Sequence, residues 1–157
     1  MKHTIGFFLL IIFLALASCN RDEPVSWVHT FTNTTWERFE HLNFDLPVEN
    51  TDKEYDISIV IKHTAKFPGD ALSINVVMIT PGGEERIKDY NLYLKGRDGV
   101  FIGYETDGIF NRVIKIREGM RFHEIGMVKF DIENLMTKLY TPGIIEFGMV
   151  MEVAENE

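Results

Sequence analysis

The one thiol in this 157-residue chain is Cys19. A thiol can be a nucleophile, a metal ligand or an attachment point, and its neighbours decide which. A single cysteine rules out an internal disulfide and a cysteine-rich zinc site. Beyond residue 18 the serines are Ser26, Ser58 and Ser73, and none sits in a Gly-x-Ser-x-Gly turn. His29, His41, His63 and His123 are scattered, with neither a His-Glu-x-x-His run nor a close pair at metal-ligand spacing. They read as surface histidines or satisfied core ones. Asp98, Glu105 and Asp107 stand among Gly96, Gly99, Gly103 and Gly108. Hard oxygens on a loop can hold calcium, but no EF-hand pattern accompanies these acids, and acids are ordinary turn residues. The glycines lie between strand-like runs rather than ahead of a helix, so they do not form a phosphate cradle. Asp131 and Glu133 share one strand face, which simple alternation explains. The residues therefore argue for no catalytic group, no metal and no cofactor.

The neighbours of Cys19 point to attachment. Lys2 supplies a positive start, Ile5 to Ala17 is an almost unbroken apolar run, and small residues follow. That is the layout of an export signal, and the run is shorter than the ~20 apolar residues of a membrane span. Leu16-Ala17-Ser18-Cys19 looks like a bacterial lipobox, in which the thiol is acylated and the chain is cut before it. Each buried methylene contributes about 0.8 kcal/mol, and stable attachment needs more than one acyl chain. The expected partner of Cys19 is thus a membrane. Asn20, rather than Asp, follows the cysteine. That favours the outer membrane, on its periplasmic or cell-surface face. The expected division is a signal peptide at 1–18, a lipidated cysteine and tether at 19–26, and one folded domain at 27–157.

Charge narrows the partners further. The chain holds 16 Lys and Arg against 24 Asp and Glu, a net charge of −8. Nucleic-acid binders normally show a basic footprint, so that class is excluded.

Stepping along the domain, the hydrophobic period is two. Tyr55, Ile57, Ile59 and Ile61 alternate with Asp56, Ser58 and Lys62, with Val60 the apolar exception. Leu72, Ile74, Val76 and Met78 repeat the pattern, as do Val128, Phe130 and Ile132. Such alternation marks strands with one buried face. Further strands are expected at 27–31, 39–46, 87–94, 101–104, 112–117 and 144–153. Turn signals separate them at residues 49–52, 68–70, 81–83, 98–99, 107–108, 118–119 and 141–143. Glu133–Tyr140 is the one stretch that suits a short helix. The expected fold is all-β, an antiparallel sandwich of about eight to nine strands, immunoglobulin-like or jelly-roll in type. Most large rings are expected to fill its core. The segment from Leu92 to Tyr104 combines aromatics, glycines and turns. Tyr93, Phe101 and Tyr104 are therefore the expected binding surface.

The linear order of these features resembles one family, the gliding motility-associated lipoprotein GldH of the Bacteroidota. The likeness runs from Cys19 to about Val153. It takes in Trp36 and Phe44 ahead of the Tyr55-to-Ile61 strand, then Phe67-Pro68, Leu72 and Pro81-Gly82-Gly83. Leu92-Tyr93-Leu94 leads into Gly99-Val100-Phe101-Ile102-Gly103, and Phe122, Gly126, Val128, Phe130, Ile132 and Met136 follow. Leu139, Gly143-Ile144 and Phe147-Gly148 close the series. The resemblance implies an envelope lipoprotein that acts without catalysis, as an interaction component of a cell-envelope assembly with protein partners. The other expectation the residues support is a surface glycan-binding lipoprotein.

Overall fold

The structure is a computed structural model, and it describes residues 23–155. In chain order the strands are β1 (Val25–Thr30), β2 (Thr35–Glu37), β3 (Leu42–Val48), β4 (Glu54–Thr64), β5 (Ala71–Ile79) and β6 (Glu85–Tyr93). They continue with β7 (Tyr104–Thr106), β8 (Ile109–Arg121), β9 (Gly126–Asn134), β10 (Tyr140–Pro142) and β11 (Ile144–Val153). One turn of 3-10 helix, Thr32–Thr34, joins β1 to β2.

All pairings are antiparallel. One sheet has the order β1-β11-β4-β8-β7, the second has β3-β9-β5-β6, and β10 pairs β2 in a separate ribbon. Set aside the short β2, β7 and β10, and eight strands remain. The first, eighth, third and sixth of these form one sheet; the second, seventh, fourth and fifth form the other. That is the connectivity of a jelly roll, which settles the choice between the two sandwich types.

The alternation read from sequence is what fills the space between the sheets. Ile57, Ile59 and Ile61 of β4 are fully buried beside Phe147 and Met149 of β11. Leu72, Ile74, Val76 and Met78 of β5, with Phe130 and Ile132 of β9, face them from the second sheet. Each such side chain contributes about 1.5–3 kcal/mol on burial. Two polar residues of β4, Asp56 and Ser58, are buried on the opposite face.

Several expectations are corrected. Among the described residues there are eleven strands rather than about eight to nine. The additions include β2 and β10, too short to show a period. The stretch from Glu133 to Tyr140 forms no helix: β9 runs to Asn134, whose side-chain Oδ1 takes the Met136 N–H at 2.9 Å and turns the chain. Glu118-Gly119 is not a turn. It is an irregularity within the 13-residue β8, where the register against β4 shifts around Ile57. The Gly119 N–H there donates to Asp56 Oδ1 at 2.9 Å, so the chain passes through without reversing. The expected strand at 101–104 begins only at Tyr104; Phe101 makes a single bridge to Lys95. Phe39 precedes β3 and is 74% exposed.

Candidate functional site

The 3-10 turn and the β2–β10 ribbon stand outside the two sheets and enclose an open cleft of about 830 Å³. Its floor is built from the core outward. Trp36 of β2 is fully buried, its ring stacked on Phe31 with centroids 5.2 Å apart and tilted against Phe147 at 5.1 Å. Trp36 Nε1 donates to the Glu40 carbonyl at 2.9 Å. Behind it, buried Asn134 donates from Nδ2 to Thr141 Oγ1 at 3.1 Å and to the Trp36 carbonyl at 3.4 Å. A buried amide must be satisfied, and here its bonds tie β9, β2 and β10 together.

The rim is held as firmly. Gly143 N–H donates to the Thr34 carbonyl at 2.8 Å, and Arg38 N–H to the Leu139 carbonyl at 2.8 Å. Asn33 and Thr34 adopt positive φ, 56° and 52°. For a β-branched threonine this is an unfavourable conformation, costing about 1–3 kcal/mol, and it persists only where the surroundings enforce it.

The lining is mixed. Thr32, Asn33 and Thr35 bring hydroxyls and an amide, Glu37 and Glu40 bring carboxylates, and Lys138 brings an ammonium. His29 Nε2 lies 3.4 Å from Glu40 Oε1, and the His29 ring meets Phe31 edge-on at 4.7 Å. Tyr140 is half-exposed on the wall. A smaller depression of about 170 Å³ lies against Lys138 and Tyr140 as well, so these two line both hollows. A hollow lined by donors, acceptors and a ring can hold a polar ligand or a loop of a partner.

Of the residues expected to bind, Tyr93 is 61% and Tyr104 is 73% exposed. Phe101 is half-buried: its ring packs 4.9 Å from His63 and 4.7 Å from Phe110, with Lys95 Nζ 4.7 Å above it. These residues do not line the cleft. His63 is fully buried, with Nδ1 3.3 Å from the Thr64 carbonyl and Nε2 without a hydrogen-bond partner among the described residues. Burial holds its pKa below the ordinary histidine value. His41 has the opposite shift, raised chiefly by its hydrogen bond to Asp131 at 2.7 Å. Asp56 is pushed up by burial, but Lys115 and the Gly119 N–H outweigh that and leave it below the usual carboxylate range. Among the acids near the glycines, Asp98 accepts from Val100 N–H at 3.1 Å and Glu105 from Gly108 N–H at 3.0 Å, both as turn formers. Leu16, Ala17, Ser18 and Cys19 lie outside the described residues.

Sequence reasoning missed the cleft. The one signal it left is the polar string Thr32-Asn33-Thr34-Thr35 beside Trp36.

The solved structures this chain resembles include infectious bursal disease virus, Gx strain, at 13% identity and a TM-score of 0.36, covering 87% of this chain and 33% of the viral one. A subviral particle of the same virus gives 14% identity and a TM-score of 0.34, covering 86% of this chain and 34% of the viral one. The chain thus spans about a third of those viral proteins. Among curated proteins, the gliding motility lipoprotein GldH of Flavobacterium johnsoniae is 23% identical over 114 residues, covering 73% of this chain and 71% of that protein. The GldH lipoprotein family profile matches residues 25–151, nearly all of the jelly roll, and the chain belongs to that family.

Proposed function

We propose that this protein is an outer-membrane lipoprotein, held by acyl chains on Cys19, whose jelly roll works as a non-enzymatic interaction component of a cell-envelope assembly. The observation that carries the reading is the cleft. Its backbone is locked by the Asn134 and Gly143 hydrogen bonds, and its lining mixes charge, hydroxyl and ring in one hollow. Such a surface suits recognition by shape and polarity. The apolar run ending at Cys19, followed by Asn20, supports the address. The name of the Flavobacterium johnsoniae relative supports an assembly concerned with gliding motility. The test is photo-crosslinking in whole cells, with the reactive group placed at Tyr140 on the cleft or at Lys129 on an outer sheet face. The expected result is an envelope protein captured from position 140 and not from 129. Capture of nothing, or of the same proteins from both sites, counts against it.

A second reading is favoured by one feature, the Tyr140 ring lining the same hollow as Thr32, Asn33 and Thr35. A planar ring flanked by hydroxyls and an amide matches a sugar, which is apolar on its faces and polar at its edges. Under this reading a glycan array shows binding that Tyr140→Ala abolishes.

A further inference from the structure

Strand β6 ends the second sheet. It pairs β5 along its nine residues and has no neighbouring strand on its other side among the described residues. An edge of that length presents a row of backbone donors and acceptors ready to pair with another strand. Period two places Arg86, Lys88 and Tyr90 on one face of β6, toward β8. There they line a water-sized crevice of about 10 Å³ together with Arg117. Lys88 Nζ sits 4.8 Å from the Tyr90 ring centre, and Tyr90 Oη donates to the Ile116 carbonyl at 3.4 Å. Arg86 is paired with Glu84 at 2.9 and 3.1 Å. Of the three cations around the crevice, Arg86 is already compensated by Glu84, while Lys88 and Arg117 have no ion pair among the described residues. The other face differs. Ile87 is 62% exposed there, flanked by Glu85 and by Asp89, which accepts from Asn75 at 2.7 Å.

We propose that the open edge of β6 accepts an extended acidic segment of a partner protein as an added strand. Main-chain hydrogen bonds would supply affinity, and alternate side chains would supply specificity. Acids on one face of the incoming strand would meet Arg86, Lys88 and Arg117; apolar residues on the other would cover Ile87. A second copy of this chain is a poor occupant, because full antiparallel pairing of two β6 edges sets Asp89 directly against Asp89, and like charges directly opposed are destabilising. A lipid phosphate would engage the cations and leave the backbone edge and Ile87 unused.

This deepens the reading of the domain as an interaction module and rests on it. The test uses the full-length protein in detergent and a labelled nine-residue peptide of alternating Glu and Val. Fluorescence anisotropy should show binding, and hydrogen exchange should show new protection of the β6 amides. Lys88→Glu and Arg117→Glu should each weaken binding by about tenfold or more, while Lys129→Glu should leave it unchanged; melting curves confirm that each variant folds. Three results overturn the proposal: equal binding of a Lys–Val peptide, no added protection of β6 in the unmodified protein, or Arg117-dependent binding of phosphatidylglycerol vesicles with none of the Glu–Val peptide. Loss of peptide binding alongside intact cell crosslinking at Tyr140 would remove this proposal and leave the cleft reading standing.

Discussion

Gly143 is the residue on which the ribbon, the cleft and the core meet, and replacing it with alanine tests all three. Its φ is +87°, a region side chains rarely adopt. A Cβ there would collide with the backbone nitrogen of Phe67, and would lie 2.8 Å from the Lys66 carbonyl carbon and 2.9 Å from Phe67 Cα. Phe67 cannot step aside cheaply. Its N–H donates to the Thr64 carbonyl at 3.1 Å, while Thr64 N–H donates to the Gly143 carbonyl at 2.8 Å. The left-handed backbone costs an L-residue about 1–2 kcal/mol, and overpacking adds about 1–3, for about 2–5 in all. Gly108→Ala is the control: φ is +77°, but no atom lies within 4 Å, so only the first cost of about 1–2 kcal/mol applies. At about 4 °C per kcal/mol for a domain of this size, the melting temperature should fall by about 8–20 °C for Gly143→Ala and about 4–8 °C for Gly108→Ala. Urea unfolding followed by tryptophan fluorescence reads this directly, because Trp36 of the ribbon is fully buried. A loss at position 143 no larger than at position 108 would refute the close approach, and with it the bond that holds Thr34 on the cleft rim.

Three further outcomes are expected. Asp56→Ala leaves the Gly119 N–H without its acceptor and should cost about 1–3 kcal/mol in chemical denaturation; in the parent, the stability from this carboxylate is present above the unfolded value near 3.9 and is lost as pH falls through the lower folded value. His63 has the reverse protonation logic of a paired histidine. Its folded pKa is depressed, so the unfolded chain binds the proton first, and stability should fall below pH about 6.5 by up to about 1.4 kcal/mol per unit. His63→Leu should flatten that slope in denaturation series between pH 8 and 5; an unchanged slope would mean that another group carries it. Cys19→Ala should abolish palmitate labelling and leave the apolar run at 5–17 uncut, so that the protein migrates as a larger precursor; continued palmitate labelling would dispose of the lipid anchor at this residue.

The long strands were legible because burial writes itself into the sequence with period two, as in Tyr55 to Ile61. The ribbon was not, because its stability is non-local: the Asn134 side chain bonds to the Trp36 carbonyl across 98 positions, and no window of sequence contains both. Glu118-Gly119 misled for the same reason, since the group that lets β8 pass through it is Asp56, on another strand. The cleft was hidden as well, because it gathers His29 of β1 with Glu40, Pro68 and Lys138 from three separate connections. β1 starts at Val25, a few residues beyond Cys19, and its six residues run about 20 Å to the cleft at His29 and Thr30. An anchor at Cys19 would therefore hold the near end of β1 toward the membrane and turn the cleft away from it. A partner in the cleft would approach from the far side of the domain. That is a further reason for Tyr140, rather than a tether-proximal residue, as the crosslinking position.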